Sequence, residues 1–132
     1  MSSGQYLAMI AIVVDEYDTA IQWYTEKLDF KLLEDTRLSE TKRWVVVSPG
    51  NNSGCKILLA RAADEAQTAH IGNQTGGRVF LFLHTSEFDT FFKTIVSRGV
   101  EIVRGPALED FGQVAVFKDL YGNLWDLIEP KN

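Results

Sequence analysis

The side chains able to do chemistry are few and lie apart. The chain has one cysteine, Cys55, and two histidines, His70 and His84. Among its acids Asp126 lies in a strand-like run, 124–128, of a chain expected to enclose an apolar concavity. A carboxylate in apolar surroundings must be paired, hydrogen-bonded or shifted in pKa. Three roles stay open for it: ligand anchor, general base, or a structural carboxylate tied to an Arg, Tyr or Trp of a neighbouring strand. A lone cysteine excludes an internal disulfide and any multi-cysteine zinc or iron–sulfur site. No histidine adjoins Cys55 in sequence to activate it. His70 lies in a polar stretch and reads as a solvated residue. His84 closes a strand-like run, where it either lines one end of a cavity or bonds to nearby backbone.

Aromatic rings are the other resource. Trp44, Phe80, Phe82 and Trp125 can supply the flat apolar walls that small-molecule pockets present, although core packing claims rings equally well. Strand alternation puts His84 on the same sheet face as Phe80 and Phe82, and forbids Arg43 and Trp44 from both facing inward.

An internal duplication positions these residues. Asp15-Glu16-Tyr17-Asp18-Thr19 recurs at a spacing of 71 as Ser86-Glu87-Phe88-Asp89-Thr90. Asp15 and Ser86 are expected to cap helices, with Asp18 and Asp89 in the first turns, where negative charge suits the dipole. Behind the caps, Tyr17, Ala20, Ile21 and Tyr24 match Phe88, Phe91, Phe92 and Ile95 at helical spacing. Short apolar strands, 9–14 and 80–84, precede them. Three further strands follow each helix: 30–36, 43–48 and 56–60 in the first copy, and 101–103, 113–118 and 124–128 in the second. The turns between them fall at 39–40, 49–54, 105–106 and 121–123. Both copies read βαβββ. The expected class is α+β: paired βαβββ modules forming a curled mixed sheet around a central cavity, helices outside.

At 132 residues the chain is expected to be one domain, 1–132, with halves at about 7–61 and 78–129 joined by a linker, 62–77. A short helix is expected near 64–69. The Gly-rich end of the linker, 71–78, is either a flap over a ligand or a plain connection; it fits neither the phosphate-loop nor the dinucleotide pattern. A net charge of -5 with scattered acids argues against nucleic acid as a partner. Apolar runs fall far short of the ~20 residues that span a bilayer, so no membrane role is expected. Met1-Ser2-Ser3-Gly4-Gln5 lacks the pattern of a secretory signal, and with a single cysteine this points to the cytoplasm.

A duplicated βαβββ of this length resembles the vicinal oxygen chelate superfamily, which includes glyoxalase I, bleomycin-resistance proteins, fosfomycin-resistance proteins and extradiol dioxygenases. Ala20-Ile21-Gln22-Trp23-Tyr24-Thr25-Glu26-Lys27-Leu28 is similar to its first helix, A-x-x-F/W-Y-x-x-x-L-G-F. Asp119-Leu120-Tyr121-Gly122-Asn123-Leu124-Trp125-Asp126-Leu127 is similar to its D-P-D-G-N-x-x-E-L hairpin. The resemblance covers roughly 7–130. It departs at Asp29, where the family has glycine; aspartate tolerates the left-handed conformation better than most residues.

The resemblance implies metal-ligand positions on the first and last strand of each half. Carried through the duplication they fall on Met9, Leu58, Phe80 and Asp126. A divalent cation needs several N or O donors, and of these four only Asp126 offers one. No metal and no cofactor are therefore expected. The leading expectation is a glyoxalase/bleomycin-resistance-like binder of a small apolar or aromatic molecule, with Met9, Trp44, Leu58, Phe80, Phe82, His84 and Trp125 as ligand-binding residues. The alternative is a lyase, isomerase or dioxygenase of the glyoxalase type, metal-dependent or metal-free with Asp126 as base. A regulatory module with a filled interior is a third class. A homodimer is expected, since superfamily members often pair and two-fold dimers are the commonest oligomer.

Overall fold

The computed structural model describes residues 4–50 and 54–131. The middle of the expected turn at 49–54 and the first three residues of the N-terminus lie outside them. The chain divides into two compact units, Met1–Ile71 and Gly72–Asn132, with the boundary inside the stretch 62–77.

The first unit runs β1 (Met9–Val14), α1 (Tyr17–Lys27), β2 (Lys31–Arg37), β3 (Arg43–Ser48), β4 (Lys56–Arg61) and a one-turn α2 (Glu65–Thr68). Its sheet has the order β1-β4-β3-β2, with β1 parallel to β4 and the other pairs antiparallel. The second unit repeats this as β5 (Val79–His84), α3 (Phe88–Ser97), β6 (Ile102–Glu109), β7 (Gly112–Lys118) and β8 (Leu124–Pro130), in the order β5-β8-β7-β6. The duplication read from the sequence is thus a duplication of topology, and the class is α+β.

Alternation decides which side of each sheet takes its helix. In the first unit Ile12, Val14, Val45, Val47, Ile57 and Leu59 are buried, and α1 adds Tyr17, Ala20 and Tyr24 at helical spacing. Each fully buried aliphatic side chain here is worth about 1.5–3 kcal/mol of removed apolar surface. In the second unit Leu83, Ala115, Phe117, Trp125 and Leu127 are buried, as are Phe88 and Ile95 of α3. The chain leaves α1 through Asp29, which takes the left-handed conformation at φ 59.

Two expectations are corrected. The N-caps are Glu16 and Glu87, not Asp15 and Ser86, and neither makes a side-chain cap bond. For α3, help comes from a distant strand: Glu129 Oε1 on β8 accepts from Phe88 N at 2.8 Å. The last correction concerns β6, expected to stop at 103 with a turn at 105–106; it continues to Glu109. Pairing with β7 passes through two register slips, one between Ile102 and Arg104 and one between Arg104 and Ala107. A sheet edge tolerates this, because the missing N–H of Pro106 removes no bond from a partner on the outer side. Gly105 makes the path possible with φ +91, and a Cβ there would lie 2.8 Å from the Val114 carbonyl oxygen.

Candidate functional site

The continuation of β6 completes a face that the helix does not cover. Residues directly paired across strands share a face. The second sheet therefore carries the row Phe82, Asp126, Val116, Arg104 across β5, β8, β7 and β6. The next row is His84, Ile128, Val114, Ala107. A recess of about 310 Å³ lies on this face, lined by Arg104, Ala107, Glu109, Val114, Val116 and Asp126, with Phe111 of the β6–β7 hairpin also in its wall.

Its electrostatics are simple. Asp126 is half-buried, and burial pushes its carboxyl above the ordinary carboxylate value, while the charge of Arg104 pulls the other way and is the smaller effect. Among the described residues Arg104 and Asp126 form no ion pair with each other or with any other side chain. A carboxyl held partly out of water, with apolar neighbours on both sides in its row, can anchor a ligand donor or accept a proton.

Asp126 is held in place by the turn before it. Asp119 Oδ1 accepts from the backbone N–H of Tyr121, Gly122 and Asn123 at 3.0, 3.0 and 2.9 Å, and its Oδ2 accepts from Asn123 Nδ2 at 2.9 Å. This satisfies the amides of a tight connection between β7 and β8 and fixes where β8 begins.

The model of the Glyoxalase/Bleomycin resistance protein/Dioxygenase superfamily matches residues 6–127. The chain belongs to that superfamily. An uncharacterized protein of Shewanella frigidimarina (strain NCIMB 400) is 52% identical over 95% of this chain and 93% of its own. Among solved structures, UcmS2 superposes with a TM-score of 0.83 at 30% identity, over 95% of this chain and 98% of that one. TnmS3, an antibiotic binding protein from Streptomyces sp. CB03234, superposes with a TM-score of 0.78 at 23% identity, over 99% and 100%, a likeness of fold.

A divalent cation requires several N or O donors at one point, and neither row of the described residues brings such a set together. In the second unit the row through Asp126 adds two hydrocarbon side chains and a guanidinium. In the first unit the equivalent row is Ala11, Leu58, Val46, Glu34, with one carboxylate at the sheet edge. Among the described residues no three His, Cys, Asp or Glu side chains converge on a point. This donor set does not fit a divalent cation.

The structure separates the residues singled out from the sequence. The strand register puts Phe82, not Phe80, beside Asp126, and Ala11, not Met9, beside Leu58. Phe80 falls at a register slip between Val79 and Leu81. Neither shift brings in a metal donor. In the first unit Met9, Trp44 and Leu58 are half-buried and share the face away from α1. In the second, Phe82 is 62% exposed beside Asp126. His84 is exposed, at a separate recess of about 430 Å³ with Thr85, Ser86, Glu129 and Pro130. Trp125 turns to the other side of β8, 2% exposed and stacked on Phe117 at 5.8 Å between ring centres, so it packs the helix-side core. Arg104, Glu109 and Phe111 were missed. The signal for Arg104 lay in the duplication: at a spacing of 70 it matches Glu34 of β2, and both β2 and β6 slip register at the preceding residue, Leu33 or Val103.

Proposed function

We propose that this protein binds a small apolar or aromatic molecule on the face of its second sheet that α3 does not cover, without a metal. The observation that carries the reading is the recess beside Asp126: a hydrocarbon floor flanked by one carboxyl raised in pKa by burial and one guanidinium, with a second acid, Glu109, at the hairpin end. Walls of this composition orient an apolar ligand through a few polar contacts. The description of TnmS3 as an antibiotic binding protein supports the same use of the fold. Phe82 extends the wall on the β5 side, and Met9, Trp44 and Leu58 give the first unit an apolar face of its own.

A second reading, a metal-free lyase or isomerase with Asp126 as general base, is favoured by one observation, the upward shift of its carboxyl. We place the protein in the cytoplasm as a homodimer without nucleic-acid or membrane partners. Its net charge of -5 supports the former exclusion, and no helix among the described residues is long and apolar enough to cross a membrane.

The test is native mass spectrometry of the protein as purified, with elemental analysis of the same sample. A retained organic compound without stoichiometric transition metal is expected. One equivalent of metal per chain overturns the reading, and turnover of the retained compound that is lost in Asp126→Asn moves it to the enzyme.

A further inference from the structure

The two ionisable members of one row, Asp126 and Arg104, define what kind of molecule fits between them. Resting on the binding role proposed above, we infer that the ligand is bipolar: a flat apolar body with an anionic or strong acceptor group at one end, for Arg104, and a hydrogen-bond donor at the other, for Asp126.

Strands lie about 4.8 Å apart, so residues two strands apart have backbones about 10 Å apart, roughly the length of a fused two-ring body with a substituent at each end. Val116 occupies the position between, and Val114 and Ala107 lie in the adjoining row, so the middle of the floor is hydrocarbon. Three charged groups line the recess. Two are acids, Asp126 and Glu109, the latter paired with Gly112 at the hairpin end of β6. Arg104 is the one cation among the lining residues, and it is engaged in no ion pair among those described. An anionic group placed at Asp126 or Glu109 meets like charge, whereas at Arg104 it meets a planar fork of donors suited to a carboxylate.

The duplication sharpens the point. The equivalent row of the first unit has Leu58 at the Asp126 position and Glu34 at the Arg104 position, so the acid–base pair is confined to the second copy. The bipolar character therefore belongs to this recess and is not a general feature of the repeat.

Equilibrium dialysis of the full chain at pH 7 tests this with three probes: 2-naphthol, which carries a donor alone; 2-naphthoate, an acceptor alone; and 6-hydroxy-2-naphthoate, both at opposite ends. The last is expected to bind about tenfold tighter than either of the others, the usual effect of one added hydrogen bond to a charged group. Arg104→Gln should erase the advantage conferred by the carboxylate and Asp126→Leu that conferred by the hydroxyl, with circular dichroism verifying that each variant is folded. Equal binding of the three probes overturns the bipolar ligand and leaves the binding role standing. Failure of all three to bind a folded protein overturns both. A carboxylate preference that survives in Arg104→Gln also overturns the inference, because the anion is then held elsewhere.

Discussion

Arg104 and Asp126 stand on the same face of the second sheet, two strands apart, with Val116 as the residue between them. The guanidinium is near enough to lower the carboxyl's pKa, yet the two form no ion pair, and burial outweighs it. A carboxyl whose folded pKa is raised binds its proton more tightly in the native state than when unfolded. Its stability contribution is whole below the unfolded value near 3.8 and is lost as pH rises through the higher folded value. Asp126→Asn does not titrate. Its unfolding free energy relative to wild type should therefore increase as pH rises above 3.8 and level off once pH passes the folded value. Urea melts of both proteins across this range check it, and a difference independent of pH would contradict the assigned environment.

The donor set gives a second expectation. A ligand at about 100 times its Kd stabilises the native state by about 2.7 kcal/mol, enough to move the melting midpoint by several degrees. Adding Zn²⁺, Ni²⁺ or Mn²⁺ at about 100 μM to the chelator-treated protein should leave the midpoint where it was. A saturable upward shift for any of them, abolished in Asp126→Asn, would show that donors assemble in a way that the separate rows do not.

Gly72 and Gly76 allow a cleaner test of packing, since both are left-handed, at φ 75 and 69. A Cβ at Gly72 would lie 1.9 Å from the Tyr121 carbonyl oxygen, while one at Gly76 meets nothing within 4 Å. Gly76→Ala should cost only the conformational term, about 1 kcal/mol. Gly72→Ala adds a backbone clash against the β7–β8 turn and should cost about 2 kcal/mol more, in the range of severe single substitutions. Equal losses in thermal melts would mean that the chain before β5 is not seated on that turn.

Much of this architecture was legible because the repeat carries its own confirmation. Met9–Val14 and Arg43–Ser48 match their expected bounds, and Asp29 takes the left-handed position that the helix end demanded. The site was less so. Alternation locates a side chain on a face only where register is unbroken, and β2, β5 and β6 each slip. The slip at Phe80 puts Phe82 beside Asp126, where an unbroken register from Val79 would put Leu81. Gly105-Pro106 reads locally as a turn, and only the edge position of β6 lets the strand run on to carry Arg104 and Glu109. Helix capping failed as a local reading for a related reason: the acceptor for Phe88 N, Glu129, lies on the last strand, beyond the reach of any short motif.

The first unit offers a charge cluster whose role is stability. Arg43 donates from Nε and Nη2 to the two carboxylate oxygens of Asp35 at 3.0 and 2.6 Å, reaches Asp18 on α1 with Nη1 at 2.9 Å, and lies over the Tyr17 ring at 5.1 Å. It thereby ties β3 to β2 and to the start of α1. The hydrogen bond from Arg43 holds the Asp35 carboxyl below its usual value. Both side chains retain solvent contact and Asp18 is largely exposed, so screening leaves about 1 kcal/mol for the forked pair. Arg43→Met should lose about that amount at pH 7, and Arg43→Lys most of it, because an ammonium cannot reproduce the two-pronged contact. A lowered carboxyl contributes stability above its unfolded value near 3.8 and loses it as pH falls through the lower folded value. The gap between wild type and Arg43→Met should accordingly narrow below pH 3.8 in urea melts. A gap that persists there would assign the effect to the stacking of Arg43 on Tyr17 instead of the ion pair.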